Sequence, residues 1–583
     1  MNFFLRNNLL QSISKRYIIH SLPGSLSHFK LIAFLLLPIF CTSQDLEQVL
    51  HIRGESDVAG RSVEVDNDGN IYAVGYFENT ITFGSDDETI SITSEGSNDI
   101  FVSKTSPSGE ILWAKGIGAE SSDLATDIAL DQDNNLYITG RYINTLSFAP
   151  LPIPDLPGES IGNILVLKMD TNGDVIWAKG MIGPSTSIAN SIEVDNEGNI
   201  LTTGRLDGTN DFDPGAGEFT LTTQSIDDVF ISKLDSEGNF VWAGAFLGDQ
   251  SNIGRDLDID PDGNVYITGI LDGVADFDPG SGVLELDSGQ DDAVFIAKLN
   301  AAGELVWAKK MAGSAEGLSI KLDSDQNILT SGRFSQIQDF DPGPDQAILT
   351  SAGSLDGFIS KLNNEGEYLW AHRIGGTFAD AINSIDVDEA NNVYTTGFFT
   401  GEATYDTDSG EEIIIGAGNR EVLLTKLSPE GEYLWAFGMG GEERDGGSEI
   451  AVDANASVYT IGYFEETANF GSESASLTSL GEDDAFISIH TQLVNTRNLQ
   501  DRIEPLTIYP NPATSMTQLS WNTAPGIGFI EIMDMQGKRV KSLTANSNPF
   551  LLDLNQLGPG TYFVRLNAQD GQTYLGKLLV VGE

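Results

Sequence analysis

The sequence predicts an all-β protein, and three observations lead to that class. Six tryptophans recur at steps of 63 to 65 residues through most of the 583-residue chain. Each step contains four short segments whose apolar residues alternate or run together, which is typical of strands. No segment keeps the 3.6-residue apolar spacing of an amphipathic helix. The tryptophans are Trp113, Trp177, Trp242, Trp307, Trp370 and Trp435.

Each repeat presents its four strands in one order. In the fourth repeat the first strand, 256–260, ends in an aspartate, and the second, 264–269, follows a tight turn. The third strand is clearest in the third repeat, where 228–234 carries the pattern Asp-x-Phe-Ile-x-Lys, and the fourth strand of the fourth repeat, 304–309, contains the tryptophan. Four antiparallel strands repeated seven times predict a seven-bladed β-propeller. A glycine keeps the same step seven times, at Gly75, Gly140, Gly204, Gly269, Gly332, Gly397 and Gly462.

The two ends of the array complement each other. The seventh repeat has its first three strands, ending at His490, but no tryptophan strand follows. A spare strand, 47–52, lies before the first repeat, where a fourth strand would stand. We therefore expect the N-terminal strand to complete the seventh blade and close a propeller over residues 44–490, which removes open sheet edges. The alternative is an open solenoid, which does not require its N-terminal strand to complete the last repeat.

The first 43 residues have the pattern of a secretory signal peptide. They contain four basic residues and no acid, and an apolar run at 31–40 is too short for a membrane span. We expect cleavage after Ser43. A lipoprotein would use Cys41, the only cysteine, but the residues before it lack the small side chains that resemblance to a lipobox requires. The mature chain would then have no disulfide, no thiolate metal site and no transmembrane segment.

The C-terminal region has a different pattern. A polar linker, 491–504, precedes a region, 505–583, in which five alternating segments are separated by glycines. This pattern predicts a small β-sandwich with an Ig-like arrangement. The five segments are 517–521, 528–533, 550–554, 561–566 and 577–581.

Two parts of the chain resemble known families. The repeats resemble the bacterial SBBP β-propeller repeats through the Asp-Gly-Asn turn, Asp-x-Phe-Ile-x-Lys and Gly-Glu-x-x-Trp-Ala, and that family has no single activity. Residues 505–583 resemble the type A C-terminal sorting domain of the type IX secretion system. The motif residues are Tyr509, Pro510, Asn511, Pro512, Gly537, Gly560 and Tyr562. This second resemblance implies a Bacteroidota-type source, recognition by the type IX machinery, removal of the domain, and release or attachment at the outer-membrane surface.

The net charge of the chain limits the kinds of molecule that it can bind. The chain has 31 Lys plus Arg against 86 Asp plus Glu, a formal net charge of −55. Nucleic acids and anionic lipids need neutralising basic residues, so both are excluded as partners. Cations, neutral glycans and basic or surface proteins remain. The charge also has a simple interpretation as a device that keeps an extracellular protein soluble.

Acid-rich turns close the first strand of every repeat. They superficially resemble calcium loops, but no repeat supplies the distal Glu of an EF-hand. The alternative is an Asx turn in which the aspartate caps its own hairpin. Calcium is therefore the one cofactor considered, with Asp66, Asp68, Asp131, Asp133, Asp195, Asp260, Asp262, Asp323, Asp325, Asp388 and Asp453 as weak candidate ligands. The repeated Asp-Phe-Asp-Pro-Gly segments at 211–215, 276–280 and 339–343 are either plain turns or ligand loops on one rim.

Catalytic constellations are missing from the sequence. It has no Gly-x-Ser-x-Gly elbow, no His-Glu-x-x-His and no phosphate loop, and its acids follow no glycosidase pattern. Arg141, Arg205 and Arg333 interrupt the repeat after the strand glycine, either as counter-charges or as the lining of a pocket for an acidic ligand. We predict no catalytic residues. The function expected is non-catalytic binding of glycans or surface proteins, with a structural surface-layer or gliding-associated protein and a polysaccharide-acting enzyme as alternatives.

Overall fold

The computed structural model describes thirteen stretches of the chain. The predicted signal peptide, its cleavage site after Ser43, most of the predicted linker and Gly537 lie outside them. The described stretches are 44–85, 88–148, 153–311, 313–407, 410–416, 418–471, 475–492, 503–521, 528–533, 539–545, 547–555, 557–568 and 573–581.

Within these stretches every long element is a strand, so the all-β class is confirmed. The first two repeats contain β2 (Val58–Val65), β3 (Ile71–Ser85), β4 (Glu88–Thr105), β5 (Ile111–Ile117), β6 (Leu124–Leu130), β7 (Leu136–Ile143), β8 (Gly162–Met169) and β9 (Val175–Met181), after an N-terminal strand β1 (Gln44–Gly54). The third repeat contains β10 (Ile188–Val194), β11 (Ile200–Leu206), β12 (Thr209–Asp211), β13 (Thr220–Thr222), β14 (Asp228–Leu234) and β15 (Phe240–Gly248).

The fourth repeat contains β16 (Ile253–Ile259), β17 (Val265–Leu271), β18 (Val274–Asp276), β19 (Glu285–Asp287), β20 (Ala293–Leu299) and β21 (Leu305–Met311). The fifth contains β22 (Ala315–Leu322), β23 (Ile328–Phe334), β24 (Ile337–Asp339), β25 (Ile348–Thr350), β26 (Asp356–Leu362) and β27 (Tyr368–Gly375). The sixth contains β28 (Ala381–Val387), β29 (Val393–Phe399), β30 (Glu402–Thr407), β31 (Gly410–Ile415), β32 (Glu421–Leu427) and β33 (Tyr433–Gly441), and the seventh contains β34 (Asp445–Val452), β35 (Val458–Asn469) and β36 (Ser476–Gln492).

The main strands of a repeat pair antiparallel in sequence order, as in β6-β7-β8-β9 and β16-β17-β20-β21. The first strands of successive repeats lie side by side, from β2 through β6, β10, β16, β22, β28 and β34, and β34 in turn contacts β2. β1 pairs antiparallel with β36, from Gln44 opposite Gln492 to Ile52 opposite Ala485. The pairing predicted for the N-terminal strand is therefore observed, and it gives the seventh repeat a fourth strand.

The hydrophobic core lies between neighbouring repeats. One cluster joins Ala451 and Ile461 of the seventh repeat to Val63 and Phe101 of the first, all of them buried. The repeated tryptophans pack at the edges of such clusters and bridge to the next repeat: Trp113 Nε1 donates to Thr171 O at 3.2 Å. The indoles thus fill space between repeats, as their regular recurrence predicts.

Short hairpins that the sequence analysis did not predict protect the outer strands. The hairpin β18-β19 of the fourth repeat pairs with β15, the outermost strand of the third, and β30 pairs with β27 in the same way. The Asp-Phe-Asp-Pro-Gly segments connect three of these hairpins, and their phenylalanines are buried; Phe212, for example, lies 5.1 Å from the ring of Phe230. A covered outer strand is less open to pairing with another chain.

The C-terminal region forms two sheets over one apolar cluster. Its strands are β37 (Ile503–Pro505), β38 (Thr507–Tyr509), β39 (Met516–Ser520), β40 (Gly528–Met533), β41 (Arg539–Ala545), β42 (Phe550–Asp553), β43 (Gly560–Ala568) and β44 (Thr573–Val580). β41 was not among the predicted segments. The linker prediction was too long at both ends, because β36 continues to Gln492 and β37 begins at Ile503.

Candidate functional site

The first strands of the repeats surround a central cavity of about 250 Å³. Because side chains alternate along a strand, each first strand presents two positions to this space. We call the first set of positions the belt and the second the inner layer. The belt consists of Ser62, Asp127, Ser191, Asp256, Ser319, Ser384 and Glu449. The charged residues of the inner layer are Glu64, Glu193, Asp258, Lys321 and Asp386.

Belt side chains connect one repeat to the next. Asp127 accepts a 2.8 Å hydrogen bond from Ser62 Oγ in the first repeat and another from the backbone N–H of Ile192 in the third. Asp256 does the same between the third and fifth repeats, with Ser191 Oγ at 2.8 Å and Ser319 Oγ at 2.9 Å. These carboxylates are satisfied by neighbouring repeats, which gives them a structural task at the centre of the molecule.

The inner layer places one lysine among acids. Lys321 Nζ lies 3.5 Å from Glu193 Oε1. Asp258, with Glu193 and Asp386, raises the pKa of Lys321 well above its usual range. Burial and mutual repulsion raise the pKa of Glu64 to about 7 and that of Glu193 to about 8. Several carboxylates of the cavity therefore change charge near neutral pH.

A second, wider cavity of about 530 Å³ forms one mouth of this central space. Every first strand has a β-bulge just before its belt residue, and the bulge aims one extra side chain into the mouth. The seven bulge residues all line this cavity: Arg61, Thr126, Asn190, Arg255, Leu318, Asn383 and Ser448. The mouth is therefore a place where each repeat can contribute a different side chain without changing its strands.

Three of the bulge residues hold the next repeat. Thr126 Oγ1 donates to Ala189 O at 2.7 Å, Asn190 Nδ2 to Gly254 O at 2.7 Å and Asn383 Nδ2 to Gly447 O at 2.8 Å. Arg61 instead donates to Tyr76 OH at 3.0 Å. The side chain of Arg255 makes no hydrogen bond to any residue of the described ranges, and its Nε is buried. Arg255 thus lacks the bond to the next repeat that Thr126, Asn190 and Asn383 make at this position.

The aspartates considered for calcium stand at the other end of the first strands, each in its own turn. Asp66 Oδ1 accepts from the N–H groups of Asp68 and Asn70, while Oδ2 accepts from Asn70 Nδ2 and Tyr72 OH. Asp131, Asp195, Asp260, Asp323, Asp388 and Asp453 repeat the two backbone contacts. No group of three or more metal-ligating side chains with suitable geometry occurs among the described residues.

Lysines of the third strand occupy the outer side of these turns. Lys233 Nζ lies 2.8 Å from Asp195, and Lys361 Nζ lies 2.7 Å from Asp323. Burial of Asp323 is outweighed by the bonds from Lys361 and Asn327, so its pKa is lowered. Asp68, Asp133, Asp262 and Asp325 stand two residues further on, where their backbone N–H groups donate to the first aspartate.

Replacing Asp323 is expected to destabilise the protein far more than replacing Asp325. Asp323→Ala removes an acceptor for two backbone N–H groups and leaves Lys361, a buried cation, without its carboxylate. We expect a loss of about 3 kcal/mol in the free energy of unfolding, measured by urea denaturation. Asp325→Ala, in the same turn but exposed, should cost less than about 0.5 kcal/mol. Equal losses, or a calcium-induced rise in melting temperature that both variants abolish, would instead indicate a metal-holding turn.

The interrupting arginines differ in their partners. Arg333 donates two bonds to Glu316, at 2.8 and 2.9 Å, and Arg205 Nε lies 3.5 Å from Asp227. Both fit the counter-charge interpretation. The side chain of Arg141 has no hydrogen bond or ion pair within the described residues, and its Nε is buried. Arg141, Arg205 and Arg333 were identified from the sequence, but Arg255 and Lys321 were not. Lys321 differs from the acids and alanines at its repeat position, whereas Arg255 shares its position with Arg61.

The histidines have separate structural surroundings. His51 Nε2 lies 2.6 Å from Asp484, and the same carboxylate accepts from the N–H of Gly54 at 2.9 Å. Burial lowers the pKa of His490 to about 4. The ring of His372 lies 5.2 Å from that of Trp370.

In the C-terminal region the sorting-motif residues contact the last strand. Asn511 Nδ2 donates to Lys577 O at 2.5 Å, and Asn511 Oδ1 accepts from the N–H of Leu579 at 2.8 Å. Tyr509, before it, is 77% exposed, and Pro510 O accepts from Thr517 Oγ1. Pro512 is exposed, and Tyr562 OH donates to Gly558 O at 2.8 Å, close to Gly560.

Comparison with known proteins gives one family match and several remote similarities. The chain is 23% identical over 490 residues to an uncharacterised WD repeat-containing protein, L264, of Acanthamoeba polyphaga mimivirus, covering 70% of this chain and 35% of the viral protein. The chain thus spans about a third of that relative's length. A protein of unknown function from Bacteroides caccae matches with a TM-score of 0.28, 10% identity and coverage of 58% of this chain and 89% of that one. PorZ of Porphyromonas gingivalis, a surface component of the type IX secretion system, matches with a TM-score of 0.28, 12% identity and coverage of 90% and 70%.

In the part of the chain that the structure describes, no helix has the length and apolar character to cross a membrane. Residues 507–581 match the family of secretion system C-terminal sorting domains. The predicted sorting domain is therefore confirmed as a family match, and it implies handling by the type IX secretion system and export to the cell surface or the extracellular space.

Proposed function

We propose that the exported chain is a non-catalytic binding protein, built as a seven-bladed β-propeller of the SBBP type that β1 closes. The cyclic contact of the seven first strands and the pairing of β1 with β36 support this architecture. The ligand site we propose is the mouth cavity. The observation that carries this proposal is the ring of seven bulges. Each bulge places one side chain on the same concave surface, and these side chains differ between repeats while the strands that hold them are alike.

The ligands we propose are glycans. The cavity is lined by donors and acceptors such as Asn190, Asn383 and Arg61 and by the rings of Tyr76 and Tyr463. A few polar groups beside aromatic surface suit a sugar, which offers hydroxyls at its edge and apolar faces. We propose no enzymatic activity, since the carboxylates that reach the cavity, Asp127 and Asp256 among them, are occupied by belt hydrogen bonds.

A glycan array tests this function. The mature chain, 44–583, is applied in calcium and again in chelator, beside a variant with Ser448→Ala and Tyr76→Ala whose melting temperature is also recorded. We expect selective binding that the variant loses, because both residues line the mouth. Binding that the variant retains would move the ligand site elsewhere, and binding in calcium alone would give the aspartate turns a role. If no glycan binds in either buffer, the proposed function is wrong, and surface proteins become the ligands to test.

A further inference from the structure

Four arginines form an arc on four successive repeats at the mouth. We call Arg141, Arg205, Arg255 and Arg333 the arginine arc. Arg255 and Arg333 line the mouth cavity, and Arg141 and Arg205 stand opposite Leu124 and Ile188, which also line it. In a chain of formal net charge −55, this arc is a local concentration of positive charge on one side of one opening.

The arginines approach one another despite their like charges. Arg205 Nη2 donates to Thr186 O at 3.3 Å. A Cβ atom built on Gly162 would lie 2.4 Å from Arg141 Cδ and 2.8 Å from Thr186 Cγ2, so both arginines lie against Thr186. Burial lowers the pKa of Arg141, and repulsion from Arg205 adds to this while Asp123 opposes it. Burial also lowers the pKa of Arg255, against the attraction of Glu316 and with repulsion from Arg333 and Arg205.

Two members of the arc have unused donors. Glu316 holds Arg333 and Asp227 lies near Arg205, whereas Arg141 and Arg255 have no bonded partner among the described residues. A half-buried guanidinium without partners costs folding free energy, and repulsion from its neighbours adds to that cost. At the same position of three other repeats, Thr126, Asn190 and Asn383 stabilise the ring. Arg255 does not make this stabilising bond, so its presence at this position indicates a role other than holding the ring together.

We propose that the arginine arc binds an oxyanion, a carboxylate or sulfate group, of an acidic polysaccharide, with Arg141 and Arg255 donating to it. This inference rests on the proposed glycan-binding function and gives its ligand class. The planar guanidinium fork suits a carboxylate or sulfate and can donate two parallel bonds to it. Tyr76 and Tyr463, on the same cavity, favour a sugar over an acidic peptide because they add ring surface beside the charge.

The acids at the mouth are compatible with an anionic ligand. Glu316 is engaged with Arg333, and Asp127 and Asp256 accept belt hydrogen bonds below the arc. Burial also raises the pKa of Glu449 and that of Asp256. The remaining repulsion from the rest of the chain is screened beyond about 8 Å at physiological ionic strength.

Calorimetric titration of the mature chain tests the inference. The probes are an alginate hexasaccharide, a sulfated dextran oligomer, neutral laminarihexaose and a poly-glutamate peptide, at physiological salt. The variants are Arg255→Gln, Arg255→Lys and Arg141→Gln. Lys115→Gln is the matched control, since it removes one positive charge from an exposed position on β5. Melting temperatures are recorded for every variant.

We expect at least one acidic glycan to bind at least about tenfold more tightly than laminarihexaose. Arg255→Gln and Arg141→Gln should each weaken it about tenfold without lowering the melting temperature, and Arg255→Lys should also weaken it because the planar fork is lost. Lys115→Gln should change nothing. If laminarihexaose binds as tightly as the acidic glycans and the arginine variants keep the same affinity, this inference is wrong, but the proposed function still stands. Absence of all glycan binding would overturn both. Tighter binding of poly-glutamate, or a lower melting temperature of Arg255→Gln with unchanged affinity, would also overturn the inference.

Discussion

Removing β1 is expected to leave the protein unable to stay folded and soluble, and moving β1 to the other end of the array is expected to restore it. β1 pairs with residues 485–492 of β36 and contributes the buried Ile52 to the apolar cluster between the seventh and first repeats. It also supplies two of the three hydrogen-bond donors to Asp484, His51 Nε2 and Gly54 N, while the third is Leu480 N of β36 itself; the side chain of Asp484 is fully buried. Without β1, the edge of β36 is uncovered over residues 485–492, and a buried carboxylate loses two of its three donors.

The register of the pair provides a sharp version of this experiment. Because Gln44 lies opposite Gln492, a short Asn-Gly turn could join Gln492 to Gln44 as a hairpin. Variant one lacks residues 44–54. Variant two carries the same eleven residues after Gln492, followed by the rest of the chain, and variant three carries eleven Gly and Ser residues there. We expect aggregation of variants one and three, and a soluble variant two whose melting temperature lies within a few degrees of the parent. A soluble, equally stable variant one would show that closure is not needed.

The sequence predicts the strands well because their signal repeats. Every first strand ends in the aspartate of an Asx turn, and the turn at Asp66 with its contacts to Asn70 is formed as expected. The position of the tryptophans is predictable because their signal also repeats. Each stands on the fourth strand of its repeat and therefore packs against the equivalent part of the next repeat. By contrast, β12-β13 and its counterparts were missed, since Asp-Phe-Asp-Pro-Gly has strong turn residues and the insertion of Phe212 into the core depends on a different repeat.

The site could be predicted only in part. Arg141, Arg205 and Arg333 are visible as departures from an apolar or aromatic position, but their partners come from other strands. Arg255 was hidden because the β-bulge shifts it out of the alternating pattern, so the sequence does not indicate which face it takes. Lys321 lies on a strand with regular alternation, so its face is predictable. Its acidic neighbours are not, because they come from other first strands that meet at the same centre.

Lys321 accounts for the other large effect we expect. It is the one cation among the charged residues of the inner layer, and four carboxylates of that layer raise its pKa, Asp258 most strongly. In Lys321→Met these carboxylates keep their mutual repulsion and lose their counter-charge. Breaking a buried ion pair from one side typically costs 3–5 kcal/mol. Because Lys321 and Glu193 are still 32% and 29% accessible, we expect about 2–3 kcal/mol at pH 8.

The loss should depend on pH, and its sign follows from the raised carboxylate pKa values. The folded protein binds protons on Glu64 and Glu193 up to about pH 7 and 8, whereas the unfolded chain releases them near pH 4.5. The folded state is therefore favoured at low pH, and parental stability should fall as the pH rises from 5 to 8. At pH 5 these carboxylates are largely protonated, so Lys321 has less charge to balance, and Lys321→Met should then cost less than about 1 kcal/mol.

Urea denaturation of the parent, Lys321→Met and Lys115→Met at pH 5, 6.5 and 8 measures both effects. Lys115 is the control because its ammonium is 42% exposed and lies 4.0 Å from an exposed carboxylate of Asp174. Its replacement should cost at most about 1 kcal/mol at every pH. If Lys321→Met costs the same at pH 5 as at pH 8, Glu64 and Glu193 do not titrate in this range. Lys321 would then act through packing of its aliphatic stem, and the central charges would contribute little to holding the repeats together.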